Sequence, residues 1–429
     1  MNAFERIIGC SREKRELANL CNALKNPEGC ERLGAKVPSG LLLYGPRGTG
    51  KTLMANALME ELGRKTVTLG GEAPREDFAA ALEAAAGEAV RCAPSILFID
   101  DLELYVHDSG CCAIPDRADE LQECIDGLKG KNVFLLAVLN HRERFTPEFL
   151  IRNLPLLNLD LQNLEVKGTA GQDTVEVFSR ILRERGLDSL DPEAVAKALD
   201  RHSSIGSLEE ILAEAGFLAA CDRSPRISME HFLRACLRLL YHIADDAGPA
   251  SGAPAARLEC IACHEAGHAV VREVLSPGSV SILYAGNGRG LTDYCRDGSQ
   301  TALHRAKSRI AGSLGGTAAE ELKYGRFDAN SKGDIEKAFR AARSLVQGGC
   351  IRGFDLHSMG EDPSGQLLSA QEAAVAAEVE EGYRKAREIL TANGEFFKKL
   401  VAALVEKRVL SSLDVARIRS GCTITPACA

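Results

Sequence analysis

Apolar and polar positions follow two rhythms along the chain. In the amino-terminal part, short continuous apolar runs interrupt helical stretches. Ser39-Gly40-Leu41-Leu42-Leu43-Tyr44, Ser95-Ile96-Leu97-Phe98-Ile99 and residues 132–139 each read as a buried strand. Three such strands alternating with helices predict a parallel sheet that presents its ligand at the strand carboxyl ends. From about Thr174 to Tyr241 the spacing turns mainly helical, with Ile205-Gly206-Ser207 opening a helix over 208–221, which suits a helical lid. Residues 246–254 are small and proline-bearing between two helical segments, as expected of an interdomain linker. Beyond them, residues 280–284 and 290–295 read as short strands around Gly286-Asn287-Gly288, a hairpin signal. Residues 366–390 form a long, charge-laced helical pattern, shorter helices follow to about Ile418, and residues 420–429 lack periodicity and are expected to fray.

Composition narrows the class. At 429 residues and 45% apolar content the chain exceeds one ordinary core and folds as two or three domains. A net charge of −8, with no block of like charge, gives no electrostatic reason for a nucleic-acid partner. No apolar run approaches the roughly 18 residues of a membrane span. The start Met1-Asn2-Ala3-Phe4-Glu5 has no signal-peptide character, so the cytoplasm is the expected setting. The 15 cysteines are scattered without a framework, which suits reduced thiols, mostly small core residues.

Three motifs carry chemistry. Gly45-Pro46-Arg47-Gly48-Thr49-Gly50-Lys51-Thr52 follows the first strand and opens a helix, the context of a phosphate-binding loop. Its backbone N–H groups close around phosphates, Lys51 reaches the outer phosphates and Thr52 can hold magnesium. The second strand ends in Asp100-Asp101, where P-loop ATPases of this kind place a magnesium-supporting acid followed by one that activates water, and the third ends in Asn140, which either senses the γ-phosphate or caps the next turn. In the carboxyl-terminal half, His264-Glu265-Ala266-Gly267-His268 puts two imidazoles on one helix face at a spacing suited to zinc, with Glu265 as proton acceptor. The overlapping Cys260-Ile261-Ala262-Cys263-His264 matches a haem-attachment signature, but nothing else in the chain supports an exported haem protein. Two histidines leave the metal one protein ligand short. On chemistry, Glu320 and Glu321 compete for that place, one of them alternatively orienting a histidine.

From Phe4-Glu5-Arg6-Ile7-Ile8-Gly9 to about Ile418 the chain resembles the FtsH family of AAA+ ATP-dependent zinc metalloproteases. The resemblance implies an α/β AAA+ P-loop ATPase domain with a helical lid, followed by a mainly α-helical zinc metallopeptidase domain. The expected divisions are 1–165, a lid over 166–245, a linker over 246–256, a peptidase over 257–420 and a tail over 421–429. It implies a nucleotide site of Gly9, the loop 45–52, Asp100, Asp101 and Asn140, with Zn2+, ATP and Mg2+ as cofactors, a homo-hexamer and polypeptide substrates. Asp334, in the family's Asn-Asp position reading Gly333-Asp334 here, becomes the third zinc ligand by resemblance, and the hairpin supplies an edge strand for substrate.

The same resemblance exposes departures. Members usually begin with membrane-spanning helices, whereas this sequence starts at the ATPase domain. The family's second acid is glutamate, and Asp101 is one methylene shorter, which displaces a bound water and costs rate. Where the family supplies arginine fingers this chain reads Phe149-Leu150-Ile151-Arg152-Asn153-Leu154-Pro155, leaving Arg152 to act on a neighbouring subunit. The aromatic loop that grips substrate is replaced by Gly70-Gly71-Glu72-Ala73-Pro74. These departures keep two further readings in view: a zinc peptidase whose ATPase module is an assembly switch, and a non-proteolytic assembly factor.

Overall fold

The apolar runs of the amino-terminal half assemble into a parallel sheet. In a computed structural model the described residues are 3–69, 78–104, 118–140, 161–166, 172–200, 205–244, 255–286, 288–295, 301–326, 331–348 and 365–427. They fall into two compact units, Met1–Val177 with Ser203–Glu209, and Phe178–His202 with Glu210–Ala429. Arg152, the stretch 70–74 and the linker residues 246–254 lie outside the described residues.

In the first unit, β1 (Gly40–Gly45), β2 (Lys65–Leu69), β3 (Ser95–Ile99), β4 (Val133–Asn140) and β5 (Leu161–Glu165) pair in the order β2-β3-β4-β1-β5, all parallel. Among the described residues the α-helices of this unit before β5 are α1 (Ser11–Lys25), α2 (Pro27–Arg32), α3 (Lys51–Leu62), α4 (Phe78–Arg91) and α5 (Ala118–Leu128). Side chains of β1 alternate between faces: Leu41 and Leu43 join a core with Met54 and Leu58 of α3, whereas Leu42 joins Phe78 and Leu82 of α4. The sheet is therefore buried on both sides, which is why its central strands read as unbroken apolar runs. The pairing of Gly45 with Asn140 brings the ends of β1 and β4 level, beside the end of β3.

The helix α6 (Gln172–Glu184) crosses the division between the units. Within the second unit, α7 (Pro192–Ala198) and α9 (Met229–Tyr241), read from the sequence as lid, group with the peptidase segment, as does α8 (Ile205–Cys221) from Glu210 onward. The Cys295 thiol, just past the hairpin, lies 3.7 Å from the Lys197 carbonyl of α7. The long helix α10 (Ala255–Leu275) runs through the centre of this unit. After it come the hairpin β6 (Val280–Gly286) and β7 (Arg289–Tyr294), then α11 (Ala302–Tyr324), α12 (Lys332–Gln347), α13 (Gly365–Ala392), α14 (Gly394–Lys407), β8 (Val409–Ser411) and α15 (Ser412–Ser420). The three strands form an antiparallel sheet in the order β7-β6-β8, with β7 at an edge. Ala262, Ala266 and Val270 of α10 share one core with Leu283 of β6, Ala318 of α11, Phe396 and Leu404 of α14, and Leu410 of β8.

The end of the chain departs from the sequence reading. Residues 421–427 are docked rather than frayed: Asn393 accepts from the Thr425 N–H at 2.8 Å and donates to the Thr425 carbonyl at 3.1 Å. Cys422, Ile424 and Ala427 pack on the core. An extended strap of this kind shows no helical period, and its backbone groups are satisfied by a side chain about 30 residues earlier, which no local pattern reports. No helix among the described residues is long and apolar enough to cross a membrane.

Candidate functional site

The metal centre is built where α10 and α11 touch backbone to backbone. A Cβ on Gly267 would lie 2.4 Å from the Gly315 carbonyl oxygen, and one on Gly315 would lie 2.6 Å from that of Gly267, so both positions admit only glycine without movement. A Cβ on Gly316 would lie 2.6 Å from Nε2 of both His264 and His268, so the missing side chain leaves room for the two rings. Each ring is fixed by its other nitrogen. His268 Nδ1 is 2.7 Å from the Gly312 carbonyl, which accepts only from an N–H, and His264 Nδ1 is 3.0 Å from Glu320 Oε1. Both Nε2 lone pairs therefore face inward.

They meet each other at 3.0 Å and Asp334 Oδ2 at 3.1 and 3.3 Å. Asp334 comes from the first turn of α12, and Lys337 one turn later donates to its Oδ1 at 2.9 Å. Three acceptor atoms converging with both ring protons already committed call for a cation between them. Tetrahedral zinc, with ligand bonds of about 2.0–2.1 Å, separates ligand atoms by about 3.3 Å, so the donor set fits it closely. The electrostatics agree. Burial alone would lower the His264 pKa, yet the carboxylates of Asp334 and Glu320 outweigh it and push it up to about 10. Burial opposes ionisation of Asp334 too, but its close contacts with His264 and His268 and the Lys337 ammonium hold it well below the usual carboxylate range. The point is set to hold positive charge.

The competing carboxylates turn elsewhere. Glu320 stands behind His264, its second oxygen 3.4 Å from Ser331 Oγ, and Glu321 accepts from Tyr383 Oη at 2.5 Å. Glu265 faces the cavity from the same turn as His264. Its Oε2 accepts from Thr292 Oγ1 of β7 at 2.5 Å, and a Cβ on Gly290 would collide with its Oε1. Thr292 and Gly290 thus hold the carboxylate against the edge strand. The sequence reading did not single them out, because nothing in a strand pattern marks which residue faces a helix two elements away. The site opens into a cavity of about 430 Å³ lined by Arg257, Ile261, Leu291 and Lys337 besides the metal-binding group. The haem signature has no counterpart here: Cys263 is buried against Ala319, its thiol pushed up to about 12 by burial.

In the first unit, Gly45 closes β1, residues 46–49 form the loop and Gly50, at φ 91, caps α3 in a conformation that favours glycine. Lys51 is buried, donating to the Pro46 carbonyl at 2.6 Å, while Arg47 and Thr52 are exposed. Burial lowers the Lys51 pKa to about 8, against the raising effect of Glu103 and Asp100. Asp100, its own pKa raised by burial, accepts from the Asp101 N–H at 3.0 Å. Asp101, at φ 49, accepts from the Asn140 side-chain amide at 2.7 Å. Gly9 lies apart in sequence, at φ 68 against Asp173. The residue missed from sequence is Glu103. Its Oε2 accepts from the Asn140 backbone N–H at 2.9 Å, while its Oε1 is buried with no hydrogen-bond partner among the described residues.

Two segments match known families: residues 41–156 the ATPase family associated with various cellular activities (AAA), and residues 254–418 Peptidase family M41. The chain is 28% identical to ATP-dependent zinc metalloprotease FtsH 2 of Sphaerobacter thermophilus, over 97% of this chain and 66% of that protein. It is 29% identical to FtsH 2 of Symbiobacterium thermophilum, over 97% of this chain and 74% of that protein. A third relative is ATP-dependent zinc metalloprotease FTSH 8, mitochondrial, of Oryza sativa subsp. japonica, at 27% identity over 97% of this chain and 53% of that protein. The chain thus spans between about half and three quarters of the length of these relatives. With an AAA segment and a Peptidase family M41 segment in that order, the chain is similar along almost its whole length to the ATP-dependent zinc metalloproteases of the FtsH family.

Proposed function

We propose that the chain is an ATP-dependent zinc metalloendopeptidase acting on unfolded or loosely folded polypeptides. The observation that carries this reading is the convergence of His264, His268 and Asp334 on one point, with Glu265 beside it at an open sheet edge. His264, His268 and Asp334 hold the metal, and Glu320 and the Gly312 carbonyl fix the two rings that do so. Zinc, when bound, polarises the scissile carbonyl and lowers the pKa of water to about 7. Glu265 takes the proton of the attacking water and passes it to the leaving amine. Thr292 holds Oε2 of Glu265, which leaves Oε1, lying over Gly290, for that water. A substrate segment adds to β7 through main-chain hydrogen bonds, which reads an extended backbone rather than a particular sequence.

Nucleotide binds at the loop 45–52, with Lys51 on the outer phosphates, Thr52 and Asp100 supporting magnesium, and Asp101 and Asn140 at the γ-phosphate. A homo-hexamer, with Arg152 reaching a neighbouring subunit, belongs to this proposal on family resemblance. So does a cytoplasmic setting, which the free thiols among the described cysteines support. A second reading has one observation in its favour. The short Asp101 is tied to Asn140, so ATP can serve as an assembly switch with little hydrolysis. Metal analysis together with cleavage of an unfolded protein, with and without ATP, tests the proposal. Stoichiometric zinc and ATP-stimulated cleavage are expected. Cleavage indifferent to ATP favours the switch, and zinc-loaded protein that cuts nothing overturns the peptidase reading.

A further inference from the structure

Around the metal cavity nearly every charged side chain is already engaged. Glu265 holds Thr292, Glu320 holds His264, and Asp334 holds both histidines and Lys337, whose ammonium is spent on that carboxylate. Arg257 is the exception: it lines the cavity, is exposed, and among the described residues has no hydrogen-bond or ion-pair partner. It lies on α10 two turns before His264, about 10 Å along the axis. Its guanidinium reaches toward the start of the edge strand, since a Cβ on Gly288 would lie 3.3 Å from an Arg257 terminal nitrogen. A peptide extended along β7 advances about 3.3 Å per residue. A residue two or three places from the scissile bond, on the Gly288 side, therefore arrives beside a permanently charged, forked donor whose geometry matches a carboxylate.

Resting on the peptidase reading above, we propose that Arg257 is a specificity-determining residue that recognises a substrate carboxylate two or three residues from the bond that is cut. The carboxylate is either an Asp or Glu side chain or the free carboxyl terminus of the substrate, the same chemistry from two sources. An unpartnered cation at an otherwise neutralised cavity mouth attracts such a group and repels Lys or Arg there. Because Arg257 is exposed, the preference is modest and weakens with salt.

The test uses the zinc-loaded full-length chain and unstructured peptides sharing one cleavage site. One set, with amidated ends, places Glu or Gln at each of the three positions on either side of the scissile bond. A second set has a neutral sequence that ends two or three residues past the bond, with a free or an amidated terminus. We expect kcat/KM to be about two- to fivefold higher for the carboxylate-bearing member of at least one set, mainly through KM. That ratio should fall toward one in Arg257→Gln and persist in Arg257→Lys, with zinc content equal in all three proteins. The set that responds identifies the source. Equal cleavage of paired peptides by the unaltered protein overturns the proposal alone, as does a preference that survives Arg257→Gln. Failure to cut any peptide, despite bound zinc, removes the proposal together with the reading beneath it.

Discussion

His264 and His268 each give one ring nitrogen to a protein acceptor and the other to a shared point, so the role of every neighbour can be separated by substitution. Glu265→Gln removes a proton acceptor but no ligand. Peptide cleavage should fall by about 10²–10⁴-fold with zinc retained, measured by a peptidase assay beside metal analysis. Asp334→Ala removes a ligand, so zinc affinity should drop by well over about a hundredfold, more than loss of an outer hydrogen bond causes. Stoichiometric zinc in that variant would falsify the ligand assignment. At the other site, the proposed phosphate contact needs the charged form of Lys51, which is lost as pH rises through its pKa of about 8. Nucleotide affinity should therefore be flat below about pH 8 and decline above it, by at most about tenfold per unit. Glu103 raises that pKa, and a glutamine there still accepts from the Asn140 N–H, so Glu103→Gln should move the decline to lower pH. Calorimetric titration across pH 6–10 reads both, and an unshifted profile would mean that Glu103 does not act on Lys51. The histidine pair was legible in the sequence because helix geometry alone places residues four apart on one face. Glu103 was not, since its role depends on strand β4 arriving beside it.

Among the elements, the best-read are those whose signal is local. The strands β1, β3 and β4 are covered on both faces, so their residues are apolar without interruption, and their ends were placed within about a residue. At the edges the signal thins. In β2 only Val67 and Leu69 are buried, and β8 is three residues long, so neither announces itself as a strand. The hairpin was anticipated from its glycines and β-branched neighbours, but its partner β8, over 100 residues later, was not. A second sequence-silent feature is the glycine contact between α10 and α11. Gly267 reads as an unfavourable helix residue until Gly315 is seen against it. Gly267→Ala must push the helices apart or displace His268, at a cost of about 1–3 kcal/mol or more. The expected outcome is an earlier unfolding transition of the carboxyl-terminal unit in thermal or urea denaturation, with zinc bound less tightly. A variant as stable as the unaltered protein would show that α10 and α11 can separate without strain.

For the molecule as a whole, the open question is how much mechanical work the ATPase can pass to a substrate. Pulling a folded domain apart opposes a stability of roughly 5–15 kcal/mol, so some residue must hold the chain while nucleotide turns over. Where the resemblance calls for a gripping aromatic, this sequence offers Gly70-Gly71-Glu72-Ala73-Pro74. The nearest aromatic, Phe78, opens α4 and is only 1% exposed, packed with Leu82 in the core over the sheet, so it is unavailable to a passing polypeptide. Asp101, tied to Asn140 and one methylene shorter than the glutamate the resemblance calls for, would on the proposed reading limit the other half of the cycle. Both departures would act in the same direction, and neither touches His264, His268 and Asp334, which converge on one point. Cleavage and unfolding should therefore come apart. An unfolded protein should be degraded with or without efficient turnover, while a stably folded domain carrying a disordered tail should lose the tail and survive, even with ATP. Gel analysis of a tagged, folded reporter over time distinguishes the outcomes. Complete, ATP-dependent loss of the folded domain, abolished by Lys51→Ala, would show that another part of the chain supplies the grip and that the shortened acid still drives it.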